Sequence, residues 1–168
     1  MFIPEIPNNS LTKEITEIIR LSRELENDYS FEYERPVSDE EIITWENEHN
    51  IVIPNSVKDW LRFSNGSKIR NSLMEVYSLS KFDLNRKGMP ENLIIIGKVI
   101  GDGEFIAFKK TSGHIIWADH GSFDEFNDFK GVLEEIIRIL DDECGLSQSS
   151  LDSLMSLVNK SKKESNDS

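Results

Sequence analysis

The stretch that decides the fold lies between Ile42 and Gly66 and reads Ile-Ile-Thr-Trp-Glu-Asn-Glu-His-Asn-Ile-Val-Ile-Pro-Asn-Ser-Val-Lys-Asp-Trp-Leu-Arg-Phe-Ser-Asn-Gly. Its first part predicts an amphipathic helix, because Ile42 and Trp45 lie three residues apart and share one face. Pro54 disfavours helical geometry in the residue before it and suits the first position of a new helix. The closing Asn65-Gly66 pair tolerates positive φ and predicts a left-handed cap. The stretch therefore predicts two helices joined by a proline turn.

Flanking residues extend this interpretation. Ser38 and Glu41 have the spacing of a capping box at the start of the first helix. The inner side of the second helix is predicted to carry Val57, Trp60, Leu61 and either Phe63 or Ser64. We interpret the rings of Trp45 and Trp60 as core packing, the usual role of large apolar rings at helical spacing, with ligand stacking as the alternative.

This pattern resembles the signature of the SUKH superfamily, the Smi/Knr-type proteins, in which an Ile-Pro or Leu-Pro turn joins a helix to an aromatic-rich helix closed by Asn-Gly. The likeness continues into Ile100-Gly101-Asp102-Gly103, and Gly113 with Ile115 to Trp117 is similar to a later strand of the family. It covers roughly Ser38 to Leu140. Two positions depart from the family pattern, which often has an aromatic residue at Val57 and a small residue or glycine at Ser67.

The resemblance implies an α+β fold with a single antiparallel-rich sheet flanked by helices, here with an extra C-terminal helix. Bacterial members are mostly immunity proteins, so it also implies a non-enzymatic protein that neutralises a cognate polymorphic toxin domain. The alternative is a regulatory or cell-wall-assembly interaction module, as in the fungal branch. A compact chain without long disordered arms fits the bacterial type better.

Hydrophobic periodicity and turn signals predict the other elements. A first helix is expected from Thr12 to Glu26, a loop from Ser67 to Ser72 and an extended segment from Leu73 to Leu79. A three-stranded antiparallel meander follows, with strands at 93–100, 104–109 and 114–118 and turns at Gly101-Asp102-Gly103 and Thr111-Ser112-Gly113.

The C-terminal third is predicted to be helical. The family's Ser-Phe-x-Glu-Phe-Leu-like helix start fits Ser122 to Phe126 by letter and Asp128 to Leu133 by periodicity, and we prefer the second register. The main helix is then expected to end at Cys144-Gly145, with a separate final helix over 146–158. We expect one domain over 1–159, with a family core of about 38–140, and a polar, disordered tail over 160–168.

Bulk properties exclude several classes of function. The 168 residues include 19 basic and 31 acidic ones, a formal charge of −12, which argues against nucleic-acid binding and allows a basic partner. A lone cysteine, Cys144, excludes an internal disulfide framework. The first residues lack the basic and apolar regions of a signal peptide, and no apolar segment is long enough to span a membrane. Cytoplasmic residence is the expected default.

Acidic residues concentrate in two regions. Glu24 to Glu48 contains ten acidic residues and one basic residue, and Asp119 to Glu143 contains nine acidic and two basic residues. Either these are simply solvated faces, or both regions meet in one docking surface for a basic partner such as a nuclease-type toxin, whose substrate channel the surface would occlude. The partner-binding candidates are Glu32, Glu34, Asp39, Glu40, Asp119, Asp124 and Glu125.

Catalytic and metal sites have little support in the sequence. Asp119-His120, with His114 on the preceding strand, is the only cluster that resembles an acid–base pair, and neighbours on a strand point to opposite faces. Asp141, Asp142 and Glu143 are adjacent at a helix end and cannot converge on one ion without a surrounding loop. No activating base accompanies Cys144, so an inert thiol is expected. We predict no catalytic residue, no metal and no cofactor.

Overall fold

A computed structural model describes residues 1–99, 103–119 and 121–166 of the chain. Helices occupy the two ends of the described chain and the signature region, and short strands fill the rest. The helices are α1 (Thr12–Leu25), α2 (Asp39–His49), α3 (Asn55–Leu61) and α4 (Phe129–Asn166), with a 3₁₀ turn at Leu79–Lys81. The strands are β1 (Glu32–Tyr33), β2 (Ser67–Ile69), β3 (Met74–Val76), β4 (Leu93–Val99), β5 (Phe105–Lys109), β6 (Ile115–Asp119) and β7 (Ser122–Phe126).

The seven strands form one antiparallel sheet in which each strand pairs with the next along the chain, in the order β1-β2-β3-β4-β5-β6-β7. This is the α+β fold expected from the sequence, with a helix at the C-terminus. The sheet is a longer meander than the three strands predicted, because the additional strands pair on both sides of the predicted three.

The two faces of the sheet differ in what they contact. The inner-face residues Ile94, Ile106, Phe108 and Ile115 join the buried residues of all four helices in one hydrophobic core. On the outer face, a cross-strand row of Glu32, Lys68, Glu75 and Lys98 carries charges of alternating sign. A small second cluster on that face consists only of strand and loop residues: Ile95, Phe105, Ala107 and Ala118, with Tyr77, Met89 and Leu93 against them. The helices therefore leave the outer face of the sheet open.

Glycine is required where the chain packs most closely. A Cβ at Gly97 would collide with the backbone oxygen of Glu75 on the neighbouring strand, beside the bulge in β4. A Cβ at Gly131 would lie 2.5 Å from Phe126 Cδ1, so this glycine lets the first turn of α4 lie against β7. Both positions need the absence of a side chain rather than unusual backbone angles.

The signature helices largely match expectation. The Ser38 side chain accepts the Glu41 N–H (3.2 Å) and the Glu41 carboxylate accepts the Ser38 N–H (2.8 Å), which confirms the capping box. Trp45 and Trp60 are both buried, which confirms their packing role, as are the residues predicted for the inner side of α3. Those residues are Val57, Leu61, Phe63 and Ser64.

One local prediction in this region is wrong. Helix α3 ends at Leu61, and Asn65-Gly66 is not its cap: Arg62, at the helix end, keeps right-handed helical angles. Gly66 has φ +112° and leads directly into β2, in the segment 67–72 that the sequence predicted as a loop. Ser67 and Lys68 are not typical strand residues, but they are held in a strand because β2 pairs with β1 on one side and with β3 on the other.

Two further differences concern the C-terminal third. Ser122–Phe126, the other register considered for the helix start, is the edge strand β7, and the helix begins at Phe129, in the preferred register. The break expected at Cys144-Gly145 is also wrong, because α4 continues through Gly145 and through residues 160–166 of the expected tail. An isolated glycine inside a helix costs only about 1 kcal/mol, so the helix can continue through it.

Some predicted features lie outside the described chain. They are Ile100, Gly101 and Asp102 of the predicted hairpin turn, His120, and the last two residues.

Candidate functional site

The candidate partner-binding residues fall in two groups at opposite edges of the sheet. Glu32, Glu34, Asp39 and Glu40 lie on or beside β1 and at the start of α2, whereas Asp119, Asp124 and Glu125 lie on β6 and β7. With neighbouring strands about 4.8 Å apart, β1 and β7 are separated by roughly 29 Å across the sheet. The seven candidate residues therefore do not form one surface, because the meander carries them to opposite edges. The two acidic regions meet only elsewhere among the described residues, where Glu24 of α1 and Asp141 of α4 both contact Arg20.

The first group we call the β1–α2 surface, defined by Glu32, Glu34, Asp39, Glu40, Glu41 and Glu48. All six side chains belong to exposed residues. Glu32 lies 3.6 Å from Lys68 Nζ, and Asp39 receives a 2.8 Å hydrogen bond from the Arg62 guanidinium. Within the described part of the chain, Glu34 and Glu40 have no ion-pair partner. The surface thus keeps carboxylates that the protein itself does not neutralise.

Two adjoining clefts open on the β1–α2 surface, each of about 510 Å³. The first lies over β1–β3, and its charged lining residues are Glu32, Glu34, Arg35, Lys68, Glu75 and Lys81. The second lies between α2 and the 3₁₀ turn, and its charged lining residues are Glu40, Glu41 and Glu48. Asn65 lines both clefts, and the second contains acidic side chains without a single basic one.

The signature pair Asn65-Gly66 joins the segments that frame these clefts. The Asn65 N–H donates to the Arg35 carbonyl (3.1 Å), and Asn65 Oδ1 accepts the Leu79 N–H (2.8 Å). The Gly66 carbonyl accepts the Glu34 N–H (3.1 Å). Its φ of +112° favours glycine there. Sequence reasoning missed this role because it assigned the pair to the end of a helix.

The second acidic group is also partly neutralised, through Glu125. Glu125 Oε1 lies 2.9 Å from Lys109 Nζ and 3.0 Å from His114 Nδ1, and these contacts, that of Lys109 first, lower the pKa of Glu125. Asp124 is exposed and borders a shallow cleft against α4, and Asp119 is the exposed last residue of β6. The charged residues that line this cleft, Asp119, Asp124, Glu125 and Glu135, are all acidic.

The acid–base candidates do not form a pair. His114 contacts Glu125, and five residues of extended chain, about 17 Å, separate it from Asp119. His120 lies outside the described residues. Across the part of the chain that the structure describes, no group of three or more His, Cys, Asp or Glu side chains is arranged to hold a metal ion.

The carboxylates near the middle of α4 diverge. Glu143 binds Arg70, which also lies over the Tyr29 ring, whereas Asp142 accepts a hydrogen bond from Arg138. The adjacent Cys144 thiol has its pKa raised to about 11, chiefly by burial and then by a hydrogen bond with Glu24. The inert thiol expected from the sequence agrees with this environment.

None of the described helices combines the length and the apolar character needed to cross a membrane. No curated protein matches the chain. A family model, that of the SMI1 / KNR4 family (SUKH-1), matches residues 36–136, which include the signature helices, strands β2 to β7 and the first turns of α4. Strand β1 and the first-cleft residues Glu32, Glu34 and Arg35 precede the matched range. This match confirms the resemblance drawn from the signature. The chain belongs to the SMI1 / KNR4 family (SUKH-1).

Proposed function

We propose that this protein is an immunity protein that binds a cognate toxin domain through the β1–α2 surface and blocks it without turnover. Membership of a family whose bacterial members mostly serve in immunity supports the class of function. The proposed location of the binding surface rests on one observation: Glu34 and Glu40, which have no ion-pair partner among the described residues, line the two adjoining clefts. The toxin is proposed to be a basic, nuclease-type domain.

The charge pattern supports a basic partner. An exposed carboxylate that already has an internal ion pair gains little from a second cation, whereas an unpaired carboxylate can accept an Arg or Lys of the partner. The α2 cleft offers three glutamates within one concave site. Such a site suits the guanidinium groups that anchor many protein interfaces. Complementary charge would also speed the encounter of the two proteins.

The shape supports protein binding over small-molecule turnover. Both clefts are open grooves along the protein surface, and the second is walled by one face of α2 and by the 3₁₀ turn. The hydrogen bonds of Asn65 and Gly66 hold these walls to one another, so the surface is preorganised and little conformational entropy is lost on binding. A rigid acidic surface of this kind would occlude the basic channel through which a nuclease approaches its phosphate backbone.

Asp119, Asp124 and Glu125 are proposed as a secondary contact region of lesser weight. They lie at the far edge of the sheet, and Glu125 is already paired with Lys109 and His114. A toxin domain that covers the β1–α2 surface would have to extend about 29 Å across the sheet to reach them as well. Because the two edges are this far apart, charge reversal at one edge can be compared with charge reversal at the other.

The test compares two double charge reversals, each of which changes the formal charge by +4. Glu34→Lys with Glu40→Lys alters the β1–α2 surface, and Asp124→Lys with Glu125→Lys is the matched control at the opposite edge. Each variant is co-expressed with the toxin domain encoded beside its gene, and cell survival and the dissociation constant of the purified pair are measured. The first variant should lose protection and bind at least tenfold more weakly, while the control should retain both.

Three results would count against the proposal. Full protection by the Glu34/Glu40 variant would show that the toxin does not bind through the β1–α2 surface. A defect confined to the Asp124/Glu125 variant would show that it binds at β7 instead. A protein that protects against no neighbouring toxin, and that co-purifies instead with wall-synthesis proteins, would support the regulatory module. Circular dichroism of each variant would show that the exposed replacements leave the fold intact.

A further inference from the structure

The second half of α4 extends beyond the domain with its apolar residues in solvent. Every residue of 145–163 whose side chain the structure describes is exposed. Leu151, Leu154, Met155 and Val158 are 56%, 59%, 63% and 49% exposed. We call residues 145–163 the overhang and these four side chains the overhang stripe. The family match ends before it, at residue 136.

The overhang stripe continues the core-facing side of the same helix. Each of its members lies 18 residues, five full turns, after a residue of the first half of α4 that packs in or against the core. The corresponding core residues, in the same order, are Leu133, Ile136, Ile137 and Leu140. The side of the helix that the core covers before Cys144 therefore remains uncovered after it.

Helices in proteins draw most of their stability from packing an apolar face, and the overhang stripe has no such packing within the described chain. The overhang is rich in serine, a weaker helix former than alanine or leucine. A partner on the stripe would supply the missing packing.

We propose that the overhang pairs with the overhang of a second copy of this chain, antiparallel, to form a symmetric dimer. The spacing of the stripe carries the proposal. The positions 151, 154, 155 and 158 are symmetric about a point between Leu154 and Met155. Reversal of the helix therefore places Leu151 against the partner copy's Val158, and Leu154 against its Met155, so every residue of the overhang stripe meets another residue of the stripe.

Charge favours the antiparallel direction. Within residues 145–163 there are three basic residues, Lys160, Lys162 and Lys163, against one acidic residue, Asp152. Antiparallel pairing places this basic end beside residues 146–149 of the second copy, about one helical turn from the exposed carboxylates of Asp141 and Asp142, which also contact Arg20 and Arg138. A parallel pair would instead bring the two lysine clusters together. Each overhang is about 28 Å long, so the two would overlap along their full length.

Sedimentation of the full-length protein up to about 0.5 mM tests the association, since even a dimer with a dissociation constant near 0.1 mM would be populated there. The wild type should dimerise with increasing concentration, and Leu151→Glu with Met155→Glu should remain monomeric. The matched control is Leu146→Glu with Leu157→Glu, which places the same charges on exposed leucines outside the stripe and should dimerise like the wild type. The proposal would be overturned if the wild type stayed monomeric, including the case in which it instead binds anionic vesicles. It would also be overturned if the variant Leu151→Glu with Met155→Glu still formed a dimer.

Cysteine cross-linking tests the direction. In a Cys144→Ser background, Leu154→Cys lies next to the symmetry point and should link to itself under mild oxidation. Leu151→Cys should not, but it should link to Val158→Cys when the two variants are mixed. Efficient self-linking of Leu151→Cys would indicate a parallel pair and contradict the antiparallel arrangement. Neither experiment involves the toxin, so failure here leaves the proposed immunity function untouched.

Discussion

The side-chain oxygen of Asn65 accepts the backbone N–H of Leu79 at 2.8 Å, which joins the end of the signature to the 3₁₀ turn 14 residues later. The same asparagine lines both clefts of the β1–α2 surface. One residue thus couples the signature of the family to the shape of the candidate binding surface.

Asn65→Ala should destabilise the protein and loosen the second cleft. It leaves the Leu79 N–H without its acceptor, and a buried donor left unsatisfied costs about 1–3 kcal/mol. Denaturant unfolding measures the loss. Asn85→Ala, at an exposed position, is the control and should change stability by less than about 0.5 kcal/mol. Equal stability of the two variants would show that the hydrogen bond to Leu79 contributes nothing.

Trp60→Ala should be among the most damaging single substitutions. The ring is fully buried and meets Phe63 and Phe129 edge-on, with centroids 5.4 Å and 5.8 Å away. Truncation of such a ring costs about 3–5 kcal/mol, a large part of the stability of a small domain. The thermal midpoint should fall sharply, whereas Phe123→Ala, at a ring that is 63% exposed, should leave it almost unchanged. A small shift for Trp60→Ala would contradict the packing described for α3.

Stability should fall as the solution becomes acidic. The pKa values of Glu17, Glu41, Glu125 and Glu135 are lowered, respectively by hydrogen bonds from Arg20, Ser38, Lys109 and Arg138. Because a folded-state pKa below the unfolded value means that the unfolded chain binds more protons, this stability is present above about pH 4.5 and is lost as the pH falls through the folded values.

Thermal unfolding between about pH 3 and pH 6 checks this dependence. The midpoint should decrease with pH, and Glu41→Gln should reduce the slope, since glutamine can keep the capping box but does not titrate. An unchanged midpoint across the range would show that these hydrogen bonds do not distinguish the folded from the unfolded state.

Cys144 should react slowly with iodoacetamide in the folded protein. Burial, and then Glu24, raise the pKa of its thiol from 9.0 to about 11. The reactive thiolate should therefore be about 100-fold scarcer at pH 8 than in the unfolded chain. Labelling rates with and without denaturant measure the difference. Equal rates would indicate an exposed thiol, and Glu24→Gln should increase the native rate if the carboxylate contributes.

The sequence was most informative about features that depend on residues close together along the chain. The capping box of Ser38 and Glu41 and the buried faces of α2 and α3 follow from spacings of three or four residues. The order of these local signals was sufficient to predict the family and the α+β fold.

The missed elements depend on distant partners. β2 and β7 are short or polar, and only pairing with neighbouring strands makes Ser67–Ile69 and Ser122–Phe126 extended. The positions of the two acidic groups follow from strand order, which the composition of the chain does not contain. The continuity of α4 through Gly145 was missed because glycine is a common helix stop, although a helix that is otherwise favourable tolerates it.

The most direct test of the central claim is the association rate of the purified protein with its neighbouring toxin domain, measured by stopped flow from about 0.05 M to 0.5 M salt. The proposed function predicts a complex whose association rate falls steeply with salt for the wild type and for Asp124→Lys with Glu125→Lys. It also predicts a slow, nearly salt-independent rate for Glu34→Lys with Glu40→Lys. Absence of a complex, or a wild-type rate indifferent to salt and to the Glu34/Glu40 reversals, would contradict recognition through the β1–α2 surface.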